Sequence, residues 1–201
     1  MRLIDQIHER RIFSRRVRVL SQHLAPLIPA RARVLDVGCG SGLLASRIML
    51  ERPDLELQGL DVLGRPGTHV PVTVYDGRTI PYGDKSVDVV LFVDALHHTP
   101  DPMVPLREAA RVARDAILIK DHLRDGILAD RTLRLMDWVG NARYGVALPY
   151  AYWSRQQWLE AFARLGLTRS AWEVRLGLYP WPASWVFERS LHFIARLEFT
   201  T

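Results

Sequence analysis

Cysteine and lysine are nearly missing from this chain. Of 201 residues one is cysteine, Cys39, so no internal disulfide can form, and a reducing compartment, the cytoplasm, is the expected setting. Only Lys85 and Lys120 are lysines, and the +5 net charge is carried almost wholly by arginine. No apolar run approaches the length of a membrane span, so no transmembrane segment is expected. The first residues mix Arg and Asp and lack an apolar h-region, which speaks against a secretory signal. Internal repeats and low-complexity stretches are also missing. A hydrophobic content of 48% and a charged content of 24% suit a globular chain that buries one core, so residues 1–201 are expected to form a single domain.

The most informative segment is Val34–Gly42, VLDVGCGSG. An apolar burst containing the acid Asp36 runs into glycines at 38, 40 and 42, which reads as a buried strand, a tight turn and a helix start. The helix would point free N–H groups into the space above the turn. Leu43 stands where the dinucleotide fingerprint needs a small residue, which argues against a nicotinamide cofactor. The segment LELQGLDV ends a second strand at Asp61, nineteen positions after Gly42. That is close to the roughly 20 expected of an acid that grips a ribose diol. Val70–Val74 is a short β-branched strand followed by Asp76-Gly77, and Val87–Val93 is an apolar run ending at Asp94. A helix over Met103–Val112 leads to a fifth apolar strand, Ala116–His122.

Strand and helix thus alternate five times over residues 33–121, the pattern of a parallel sheet with helices on both faces. Residues 1–25 predict an N-terminal amphipathic helix, rich in Arg and ended by Pro26 and Pro29. A helix over 154–165 has Ser154 as N-cap and Gly166 as its stop. Two apolar, aromatic strands, about 170–178 and 184–198, follow around the turn Tyr179-Pro180-Trp181-Pro182. Asp36, Asp61, Asp76 and Asp94 all fall at or near carboxyl ends of strands, where such sheets bind ligands.

The loop, its downstream acids and the stretch DALHHTPDP together closely resemble the class I S-adenosylmethionine-dependent methyltransferases, and within them the UbiE-like or "methyltransferase 11" group. The resemblance covers roughly residues 30–121, with a looser echo over 152–167. It implies a Rossmann-like, doubly wound, seven-stranded and mostly parallel α/β sheet closed by an antiparallel C-terminal hairpin. It also implies S-adenosyl-L-methionine as cofactor: Gly38, Cys39 and Gly40 beside its backbone, Asp36 at its methionine amino end, Asp61 on the ribose and Asp76 on the adenine amine. Val62 and Gly77 would be walls and Asp94 a further contact. Cys39 is read as a small filler, since no base lies near it in sequence.

His98 and His122, near strand ends, are the candidate general bases. Residues 122–153 break the strand–helix rhythm and are read as a substrate-side lid. Within it a helix over Ile127–Val139 presents Leu128, Leu135, Met136 and Trp138 as its apolar side and stops at Gly140-Asn141. Asn141, Arg143, Tyr144 and Tyr150 would face a small, flat or lipophilic substrate bearing a polar group. No metal is expected, and a monomer or homodimer is. Two alternatives stay open: an RNA or protein methyltransferase, suggested by the Arg-rich start, and a non-catalytic cofactor-binding subunit. The place after strand four reads Asp94-Ala95-Leu96-His97 rather than the Pro-Pro-aromatic run of base-amine methyltransferases, which disfavours nucleic acid as substrate.

Overall fold

A computed structural model describes residues 14–141 and 148–200, with the side chains of 140 and 141 left aside. Its centre is a seven-stranded sheet. The strands are β1 (Arg33–Val37), β2 (Glu56–Asp61), β3 (Val72–Val74), β4 (Val87–Val93), β5 (Ala113–His122), β6 (Leu167–Glu173) and β7 (His192–Phe199). They lie in the order β3-β2-β1-β4-β5-β7-β6. The first five are parallel, and β7 runs antiparallel to both β5 and β6. Strand order reverses between β1 and β4, so a crevice opens above the carboxyl ends of these two neighbours.

Helices cover both faces because the central strands are apolar on both. Val34, Val89, Leu91, Ala116 and Leu118 pack with Leu20 and Leu24 of α1 (residues 14–24) and with Ala45 and Ile48 of α2 (Leu43–Glu51). On the other face Leu35, Val37, Val90, Phe92, Ile117 and Ile119 meet Leu106 and Ala109 of α3 (Met103–Val112). The same cluster takes in Trp158 and Phe162 of α5 (Arg155–Arg164). Each of the buried Val, Leu, Ile and Phe side chains contributes about 1.5–3 kcal/mol. Ser154 caps α5 as expected, in a full capping box with Gln157, and Gly166 follows in a left-handed turn.

Three expectations are corrected. No helix joins β2 to β3 or β3 to β4: Gly64, Pro66 and Gly67, then Pro81 and Gly83, populate those links and disfavour helix. The first of the two late strands ends at Glu173, and the start of the second is replaced by a short helix, α6 (Ala183–Phe187), with Pro182 before it. The lid helix, α4, spans Ala129–Asn141. It begins only after Leu128, which takes a left-handed φ of 61°, and it takes in Gly140 and Asn141, two residues past the expected Val139. Its buried side is Ala129, Leu133 and Asp137; of the expected apolar side, Met136 packs against this cluster while Leu128, Leu135 and Trp138 are exposed. Among the described residues no helix is long and apolar enough to cross a membrane.

Candidate active site

The glycine loop leaves β1 and crosses the end of β2, where the Gly38 and Cys39 N–H groups donate to the Leu60 carbonyl at 2.8 and 3.1 Å. Gly38 and Gly42 have positive φ, and neither has room for a side chain. A Cβ on Gly38 would stand 2.5 Å from Ala95 Cβ, and one on Gly42 2.5 Å from Val70 Cγ2. Gly40 differs: its φ is also positive, but nothing lies within 4 Å of where its Cβ would be, so the loop's crest faces open space. Helix α2 starts directly behind, and Gly42 gives its first N–H groups no side-chain cap.

Acids from successive strands surround this crest. Asp61 at the end of β2 accepts from Gly40 N at 2.7 Å through Oδ2 and from Leu63 N at 2.9 Å through Oδ1. Asp36 is buried, and among the described residues its Oδ1 has no hydrogen-bond partner. Burial first, then the Asp61 charge, push its carboxyl up to about 7. The Cys39 thiol, against Gly59, is pushed up to about 12 by burial and by Asp36 and Asp61, which fits a filler and not a nucleophile. Asp76 is exposed and turns its Oδ1 to Arg78 N and Thr79 N. Gly77 meets Val62, since a Cβ there would come within 3.0 Å of Val62 Cγ1.

Asp94 has a different environment. It follows β4 with a left-handed φ of 53°. One carboxylate oxygen pairs with Lys120 of β5 and the other with Arg16 of α1. These cations outweigh burial and hold its carboxyl well below the usual range. Both oxygens are therefore engaged by the protein itself, and Asp94 anchors α1 across the sheet's carboxyl edge.

The histidines gather beside it. The 3-10 turn Leu96–His98 carries His97 and His98. His97 Nδ1 lies 2.6 Å from Asp121 Oδ1, and Asp121 also accepts from Leu96 N and His122 N. Burial opposes charge on His97, but Asp121 and then Asp137 override it and raise its pKa to about 10. His122 is also buried, and burial, Lys120 and His97 push it down to about 4, so it is neutral at pH 7. His98 is half-buried and lowered by burial and by His97. His97, Asp121 and His122 bring ligand atoms within 4.8 Å of one another. The 2.6 Å His97–Asp121 contact is nonetheless that of a hydrogen bond, shorter than the about 3.3 Å between neighbouring ligands on a tetrahedral zinc ion.

Of the expected substrate residues, Tyr150 is half-buried beneath the Arg134 guanidinium, 4.8 Å from its ring centre. The Asn141 side chain, Arg143 and Tyr144 lie outside the described residues. The sequence placed His97 beside His98 near a strand end and Tyr152 beside Tyr150 in the substrate-side loop, but it did not single out Asp121, Asp137, Arg16 or Lys120 as site residues. A signal existed for two of them: Lys120 and Asp121 are charges at the end of an otherwise apolar strand.

The fold is a Rossmann-like α/β sheet with a glycine loop after β1, at the strand-order switch, and an acid, Asp61, at the end of the neighbouring β2. Residues 7–169 match the family model for the methyltransferase domain, and the chain belongs to that family, the class I S-adenosylmethionine-dependent methyltransferases. The 27-O-demethylrifamycin SV methyltransferase of Amycolatopsis mediterranei is 34% identical over 110 residues, covering 47% of this chain and 40% of that protein. The ubiquinone biosynthesis O-methyltransferase of Aliivibrio fischeri is 30% identical over 99 residues, covering 41% and 39%. The chain thus spans about two-fifths of the length of these curated relatives. A solved chain from the complex of the Haloferax volcanii Trm112 methyltransferase activator with a candidate methyltransferase shares the fold. It has a TM-score of 0.69 and 19% identity over 97% of this chain and 92% of that one.

Proposed function

We propose that this protein transfers a methyl group from S-adenosylmethionine to a small or lipophilic metabolite, with oxygen as the favoured acceptor atom. The observation that carries the reading is the unpartnered Asp36 Oδ1 beneath an open glycine crest, next to Asp61. A buried carboxylate without a partner is costly, and a cationic amino group supplies what it lacks. In this reading Asp36 holds the cofactor's amino end, directly or through water. Asp61 exchanges its Gly40 contact for the ribose diol, Asp76 takes the adenine amine, and Val62 with Gly77 forms the adenine wall. Asp94 keeps α1 closed over the site. When bound, the cofactor supplies an activated methyl group on a sulfonium, and the protein supplies position and exclusion of water.

Of the two candidate bases His98 is the better placed, being half-buried and lowered toward its neutral form, whereas His122 is enclosed. The oxygen preference rests on the two curated relatives, whose names specify O-methylation. The RNA alternative loses support because two arginines of the basic start are engaged internally: Arg15 donates to the Gly177 carbonyl, and Arg16 pairs with Asp94. We place the protein in the cytoplasm as one domain, with residues 122–153 as its lid.

The test is transfer of labelled methyl from S-adenosylmethionine to a panel of hydroxylated small molecules and, separately, to RNA. The reading expects label in a small-molecule fraction and at least tenfold less with Asp61→Ala. Label in RNA alone would overturn the acceptor class.

A further inference from the structure

Beneath α4 four buried polar side chains, from the 3-10 turn, β5, α4 and the segment before α5, form a line. Asp121 grips His97 through Nδ1 at 2.6 Å. His97 Nε2 lies 3.3 Å from Asp137 Oδ2. That same Asp137 oxygen accepts the Tyr152 hydroxyl. One carboxylate oxygen thus stands before an imidazole nitrogen and a phenol, both aimed at it. The arrangement is uneven: Tyr152 is well bonded, while His97 Nε2 meets that oxygen as an ion pair and, among the described residues, makes no hydrogen bond of good geometry. A buried donor so poorly bonded calls for an explanation, and a ligand is one. With Asp121 and Asp137 on its two sides, His97 keeps its proton, so this donor is cationic.

Asp137 is carried by α4. Apart from the Asp137 contacts, this helix meets the rest of the molecule through a small apolar cluster of Ala129, Leu133, Tyr152 and Leu191 with Met136 packed on it, a hydrogen bond from Arg189 to Thr132 and the Arg134 guanidinium over Tyr150, and it turns Leu135, Trp138 and Val139 to solvent. The site also has an address. His97 comes two residues after Ala95, the residue packed against Gly38, so the line lies beside the glycine loop. The His97 and Tyr152 rings stack at 5.4 Å with an interplanar angle of 29°.

We propose that His97 and Tyr152 form a receptor for the ionised oxygen of the acceptor, which Asp137 occupies in the closed state and vacates when α4 lifts. The acceptor is then a phenol or enol on a flat ring. A cationic N–H and an O–H converging on one oxygen favour an anion. A phenol ionises near pH 10 in water and is brought into reach by such donors, whereas an amine acceptor would find only donors there. The hydroxyl proton leaves to solvent on binding. The O–CH3 bond forms as the S–CH3 bond breaks, so the oxygen ends as a neutral ether and the sulfonium as a thioether. The inference rests on the methyltransferase reading above.

The test uses 4-nitrophenol, whose phenolate and phenol absorb at different wavelengths, added to the protein with S-adenosylhomocysteine present. The bound probe is expected as phenolate, its apparent pKa lowered at least tenfold in proton affinity. Tyr152→Phe is expected to weaken phenolate binding about tenfold, the worth of one hydrogen bond to a charged group. Asp137→Asn, which removes the competing charge, is expected to strengthen it several-fold. His97→Gln, checked for folding by near-UV circular dichroism, should abolish the shift. A probe that stays protonated, or phenolate binding equal in wild type and Tyr152→Phe, overturns the receptor. S-adenosylhomocysteine titrated into the same samples separates the two ideas. If it binds while the probe does not shift, the receptor alone falls; if it fails to bind wild type, the methyltransferase reading falls first.

Discussion

Asp36 carries the sharpest tension in the ligand-free molecule. Its carboxyl ordinarily titrates near 3.8 and is held at about 7 by burial and by Asp61. Because the folded value is the higher one, the contribution of this group to stability is complete below about pH 4. It is lost as pH rises through about 7, where the native state must keep a buried charge. Above pH 7 the penalty is on the order of 4 kcal/mol. Asp36→Asn is therefore expected to raise the thermal midpoint of the ligand-free protein at pH 8 by at least about 5 °C and to change it little at pH 4. The same substitution should weaken S-adenosylhomocysteine binding about tenfold or more, since the cofactor's amino group loses its counter-charge. A variant less stable at pH 8 would mean that Asp36 is satisfied in a way this account omits. Asp36 was legible in the sequence as an acid at the end of a strand. Its missing partner was not, because a hydrogen bond that is absent depends on what every neighbouring strand brings.

At the level of elements, α1 is the least conventional attachment. Leu20 and Leu24 bury against the sheet as its apolar spacing implies. Arg16 reaches Asp94, which also pairs with Lys120, so three charges from three elements close in one place. Partly buried pairs of this kind are costly to break singly because the partner is left uncompensated. A double-mutant cycle with Arg16→Met and Asp94→Asn, read by urea unfolding, is expected to give a coupling of about 2 kcal/mol. Additive effects would show that α1 is held by its leucines alone. The spacing of apolar residues announced α3, α5, five of the strands and, of the helix expected over 1–25, the part at 14–24, its first thirteen residues lying outside the described residues, because each pattern is local. It misplaced α6 and the start of α4. There the decisive facts, Pro182 ahead of a helix and Leu128 in a left-handed turn, concern backbone geometry rather than hydrophobic period. On α4 helical periodicity marks two apolar stripes, and only its neighbours decide that Leu133 is buried with Met136 beside it while Leu135 and Trp138 stay exposed.

The whole molecule is a sheet whose strand-order switch lies between β1 and β4, and the chemistry gathers over that edge. The groups proposed to hold the cofactor could be picked out in the sequence because they sit at strand ends in order: a glycine loop, then Asp61, then Asp76. The cluster proposed for the acceptor could not, since His97, Asp121, Asp137 and Tyr152 are distant in sequence and meet only in the folded chain. The account's central claim is that the loop, Asp36 and Asp61 hold S-adenosylmethionine. The most direct test is calorimetric titration of the purified protein with S-adenosylhomocysteine, with Asp61→Ala as its control. One-to-one micromolar binding in wild type, lost in Asp61→Ala, is the predicted result. No heat of binding in a folded wild-type protein, or equal binding in the variant, would contradict it.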